Sequence, residues 1–128
     1  MKLARVLETV LYCAAEEEEE TRRFYRELLG LQPVSDESSG FRVGSGIFLL
    51  FNRDRTSVQD WPPPHGAAGP GHTCFLAEPG EYEAWKQRIE AAGVEIVDET
   101  EWQRGPRSFY FEDPAGNVVE IAEADMWP

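Results

Sequence analysis

GHTCFLAEPGEYEAWKQRIEAAG (71–93) is the stretch whose reading decides the fold. GHTCFLA alternates and reads as a strand. EYEAWKQRIEAA (81–92) then places Tyr82, Trp85, Ile89 and Ala92 on one helical face, and Gly93 stops the helix. The same order occurs earlier. ARVLETVLYC (4–13) is a strand, and EEEEETRRFYRELL (16–29) puts Phe24, Tyr25, Leu28 and Leu29 on one face. Gly30 ends that helix as Gly93 ends the second.

Three strand-like runs follow each helix. After Gly30 come LQPVSD (31–36), GFRVG (40–44) and IFLLFN (47–52). After Gly93 come VEIVDE (94–99), RSFYFED (107–113) and NVVEIAE (117–123), the last two joined by the turn DPAG (113–116). The chain is thus βαβββ twice, with a repeat as its organising feature. The expected fold class is α+β: two paired βαβββ modules, 4–52 and 71–124, forming a curved mixed sheet around a cavity. They make up a single domain, 1–128. Residues 53–70, with the proline-rich WPPPHGAAGPG running on to Gly71, read as a linker or long loop.

Composition narrows the function. The chain has 128 residues, 24 Asp+Glu against 12 Lys+Arg, and a net charge of −12. That balance opposes a nucleic-acid partner, whose phosphates need Lys and Arg, and a polybasic membrane surface. It suits a metal ion or a cationic ligand. No run approaches the roughly 20 apolar residues of a membrane span, and the N-terminus does not read as a signal peptide, so the expectation is a cytoplasmic protein. Cys13 and Cys74 form no ligand cluster and read as small buried hydrophobes. Glu16 to Glu20 read as a solvated helix start. His65 reads as an exposed loop residue, and Trp61 as a lid or an interface residue.

Strand alternation then picks out three polar residues. Glu8 shares a face with Val6, Val10 and Tyr12, His72 with Cys74 and Leu76, and Glu120 with Val118 and Ala122. An ionisable group inside a sheet is costly unless paired or liganded. One imidazole and two carboxylates sharing a divalent cation would resolve that cost and leave positions open for substrate.

At these residues the chain resembles the vicinal-oxygen-chelate superfamily, which holds glyoxalase I, bleomycin-resistance proteins, fosfomycin-resistance thiol transferases and extradiol dioxygenases. The matching segments are ETRRFYRELLGLQPV (20–34), GHTCFLA (71–77), EAAGVEIV (90–97) and above all SFYFEDPAGNVVEIAE (108–123). The resemblance implies metal ligands at Glu8, His72 and Glu120, with Glu8 or Glu120 also serving as a catalytic base. It implies a divalent ion (Mn, Ni, Fe, Co or Zn), a small-molecule substrate with vicinal oxygens, and a homodimer. Ser108 and Tyr110 would face the cavity as substrate-binding residues, with Arg107 or Arg104 supplying positive charge. Glu8 stands where His or Gln is common, which opposes an iron dioxygenase. The same-face candidates for a fourth ligand, Phe48 and Leu50, are apolar, which opposes an ordinary glyoxalase I. The expected activity is that of a glyoxalase-like metal-dependent enzyme, of lyase, isomerase or thiol-transferase type. The alternative is a bleomycin-resistance-type protein that sequesters a small, possibly cationic ligand without catalysis.

Overall fold

The computed structural model describes every residue except Glu37. The chain divides into two compact units, Met1–Gly69 and Pro70–Pro128. Each is a four-stranded mixed sheet with a helix on one face.

In the first unit, β1 (Glu8–Cys13) leads through a 3₁₀ turn into α1 (Glu18–Arg23), which a π turn (Phe24–Leu28) extends. β2 (Gln32–Pro33), β3 (Gly40–Val43) and β4 (Gly46–Asn52) follow, in the sheet order β1-β4-β3-β2. β1 and β4 are parallel, and the remaining pairs are antiparallel. The second unit repeats this plan. β5 (His72–Leu76), α3 (Tyr82–Ala91), β6 (Asp98–Glu101), β7 (Arg107–Glu112) and β8 (Val118–Ala122) give the order β5-β8-β7-β6, with β5 and β8 parallel. The expected βαβββ repeat is present in both halves.

One face of each sheet is closed by its helix. In the first unit Leu11, Cys13, Phe41, Phe48 and Leu50 are buried with Tyr25 and Leu29. Tyr25 lies 4.6 Å from Phe48 between ring centroids. In the second, Phe109, Phe111, Val119 and Ile121 are buried with Tyr82 and Ile89. Such fully buried side chains contribute about 1.5–3 kcal/mol each.

Several expectations need correction. Phe48 and Leu50 lie on the helix-covered face of β4. The residues that share Glu8's face are Ile47, Leu49 and Phe51, which the parallel register sets beside Glu8, Val10 and Tyr12. They are apolar too. β6 begins at Asp98, so 94–97 is irregular, although Val97 N–H donates to the Tyr110 carbonyl at 2.8 Å. The segment after β4 opens with a short helix, α2 (Arg53–Thr56). The side chain of Asn52 caps it by accepting from Asp54 N–H at 2.9 Å. Glu18 is not simply solvated. Asn52 Nδ2 donates to its carboxylate at 2.9 Å and Arg55 pairs with it at 3.2 Å, tying α1 to α2.

The 113–117 turn holds the second unit's last hairpin. Asp113 Oδ1 accepts from Ala115 and Asn117 N–H, each at 2.9 Å, and Asn117 Oδ1 accepts from Gly71 N–H at 2.9 Å. That last bond fixes the start of β5, where His72 sits.

Candidate functional site

The uncovered face of the second sheet carries the polar residues. The register sets Cys74 beside Glu120 and Glu120 beside Tyr110, so all three project to one side together with His72. The DPAGN turn and the Gly71–Asn117 bond determine this register, and with it the placement of His72 against β8.

His72 Nδ1 lies 3.0 Å from the Val118 carbonyl. A carbonyl only accepts, so Nδ1 carries the proton, and in a neutral ring the lone pair is on Nε2. Nε2 faces Glu120 Oε2 at 3.2 Å. Two acceptors at that distance are stabilised only by a proton or a cation between them. Glu120 is buried, and its Oε1 has no hydrogen-bond partner. A backbone carbonyl that orients an imidazole toward a buried carboxylate with a free oxygen is an arrangement suited to a metal ion. The nitrogen and oxygen donors suit the borderline divalent ions.

Around this pair opens a hollow of about 360 Å³. Its strand residues are His72, Cys74, Tyr110 and Glu120, and the flanking segments add Trp102, Met126 and Trp127. Partial desolvation, and then the Glu120 charge, push the Cys74 thiol and the Tyr110 phenol each up to about 12. Both stay protonated at neutral pH. Tyr110 can therefore donate a hydrogen bond, and Cys74 is no ready nucleophile. Cys74 is exposed and not a buried hydrophobe, because its face of β5 is the one the helix leaves open.

The structure thus brings together His72, Glu120 and Tyr110 of the candidate residues. Glu8 lies exposed on β1 in the first unit. Among the described residues no group of three or more His, Cys, Asp or Glu side chains gathers that could hold a metal ion. Ser108 is fully buried, and its Oγ accepts from Trp102 Nε1 at 2.9 Å, so it anchors that indole. Arg107 turns to the helix-covered side. It pairs with Glu123 at 2.9 Å and Glu83 at 2.7 Å, and it lies over the Tyr82 ring at 4.5 Å. Arg104 is an exposed turn residue.

His65 was missed by sequence reasoning. It is half-buried, its Nδ1 is 2.5 Å from the Tyr12 hydroxyl, and its ring packs on Tyr12 and Phe51. Only the segment's return, marked by His65 N–H donating to the Thr56 carbonyl, makes this contact, and no local pattern signals it. Trp61 in the same segment is exposed.

The paired βαβββ fold defines a protein of the glyoxalase type. The sequence pattern of the Glyoxalase/Bleomycin resistance protein/Dioxygenase superfamily matches residues 13–121, and the chain belongs to that superfamily. It is similar to a lactoylglutathione lyase from Agrobacterium tumefaciens, with 36% identity, 98% of each chain covered and a TM-score of 0.88. It is also similar to an integron cassette protein from V. cholerae, with 25% identity, 95% and 96% covered and a TM-score of 0.73. A virulence protein from Salmonella typhimurium gives 25% identity, 95% and 98% covered and a TM-score of 0.72. No curated protein matches the chain by sequence. Among the described residues no helix is long and apolar enough to cross a membrane.

Proposed function

We propose that the chain is a glyoxalase-like metal-dependent enzyme acting on a small molecule with adjacent oxygens. The observation that carries this reading is the His72 Nε2–Glu120 Oε2 approach at 3.2 Å beside the unpartnered, buried Glu120 Oε1. His72 and Glu120 are the proposed ligands of a divalent ion, with a homodimer as the working assembly. The ion, when bound, supplies Lewis acidity to the substrate oxygens.

The chain's own groups have distinct roles. The Val118 carbonyl fixes the imidazole so that Nε2 stays a donor of electrons. Tyr110, protonated at neutral pH, donates a hydrogen bond to a substrate oxygen. Glu120, on the wall of the hollow, is the proposed base for the proton on the substrate carbon next to the carbonyl. The resemblance to the lactoylglutathione lyase supports an isomerase or lyase reaction of this kind.

Equilibrium dialysis with Co²⁺ or Mn²⁺ tests the reading. Tight binding that His72→Ala and Glu120→Gln abolish supports it. No binding in the unaltered protein removes it, and leaves the sequestering role as the better account.

A further inference from the structure

The walls of the second unit's hollow bear on the substrate class, and the inference rests on the reading above. A volume of about 360 Å³ lies at the low end of small-ligand sites, which span roughly 300–1,000 Å³. Trp102 has its one polar atom engaged by Ser108 Oγ, so its ring offers only hydrocarbon to the hollow. Met126 and Trp127 add further apolar surface, and Trp127 is 76% exposed. The carboxylate of Glu120 is the one formal charge among the lining residues, and none of them is Lys or Arg. Arg107, the nearest cation in sequence to Tyr110, is held on the opposite face by Glu83 and Glu123.

We propose that this hollow receives an uncharged apolar group of the substrate, an aromatic ring by preference, beside the oxygens that approach His72 and Glu120. Trp102 and Trp127 are its specificity-determining residues. An aromatic ring gains by stacking on indole and by burying hydrocarbon. In the metal-free protein an anion meets the Glu120 carboxylate with no Lys or Arg among the lining residues to offset it. The class is therefore an aryl-substituted hydroxycarbonyl compound, and in the metal-free protein a carboxylate of similar shape is disfavoured.

Three probes separate these terms on the full chain, read by the indole N–H resonances in metal-free buffer. They are 2-hydroxyacetophenone (aryl, neutral), hydroxyacetone (the same oxygens, no aryl) and mandelate (aryl, anionic). The expected result is that 2-hydroxyacetophenone binds at least about tenfold more tightly than either. Trp127→Ala, at an exposed position that does not bear on folding, reduces the preference over hydroxyacetone to about threefold or less. Trp102→Phe keeps a ring and keeps most of the preference. Equal binding of hydroxyacetone or of mandelate to the unaltered protein overturns the proposal, and so does an undiminished preference for the aryl probe in Trp127→Ala. A parallel Co²⁺ titration keeps the two readings apart. Absent Co²⁺ binding removes the metal reading while the probe ranking still decides the ligand class. A flat ranking in protein that does bind Co²⁺ overturns the ligand class alone.

Discussion

The two units share a topology and differ on their uncovered faces. At matching register positions Leu49 lies beside Val10 in the first unit, and Glu120 lies beside Cys74 in the second. Gly40 pairs with Leu49 where Tyr110 pairs with Glu120. On the first unit's face the polar contact is Tyr12 with His65, set against Phe51. On the second it is His72 with a buried carboxylate. The comparison shows that the repeated scaffold sets positions, and that the two uncovered faces carry different side chains at them.

The largest expected effect tests whether the scaffolds are equivalent. Phe109→Ala in the second unit and Phe41→Ala in the first remove fully buried rings from corresponding faces. Each should destabilise by about 3–5 kcal/mol in chemical denaturation. A loss below about 1 kcal/mol in one unit would show that its core is not packed like the other's.

A smaller effect breaks the comparison on purpose. Glu120→Leu gives the second unit the residue type of the first. It removes a buried, half-paired carboxylate, so stability should hold or rise by about 1 kcal/mol while Co²⁺ binding disappears. A marked loss of stability would make Glu120 a structural residue.

Asn52→Ala removes the cap of α2, a feature of the first unit alone, and should cost about 1 kcal/mol by thermal melting.

The smallest effect is the pH response of the second unit's surface pairs. Lys86 holds the Glu99 carboxyl below its usual range, and Arg107 does the same to Glu123. Both lowered groups bind protons less readily when folded. Their contribution is present above the ordinary carboxylate range and lost as pH falls through the lowered values. The melting temperature should decline at acidic pH, and Glu99→Gln with Glu123→Gln should flatten that decline. Exposure keeps the change small.

Much of this was legible in the sequence, for identifiable reasons. The repeat and the helix faces follow from periodicity and from glycines at Gly30 and Gly93. Alternation placed His72 and Glu120 on uncovered faces. It failed at β4, because IFLLF (47–51) is apolar throughout and only the register against β1 settles which residues face the helix. The face of Arg107 was also readable: alternation along β7 puts it on the side of Phe109 and Phe111, opposite Ser108 and Tyr110. Trp127 and His65 carry no periodic signal, since both reach their neighbours from irregular segments.

The central claim is that His72 and Glu120 hold a divalent cation. A crystal of the Co²⁺-treated protein, measured at the cobalt absorption edge, tests it most directly. The account predicts an anomalous peak within about 2.0–2.2 Å of both His72 Nε2 and a Glu120 oxygen. A peak elsewhere, or none with both side chains ordered, would contradict it.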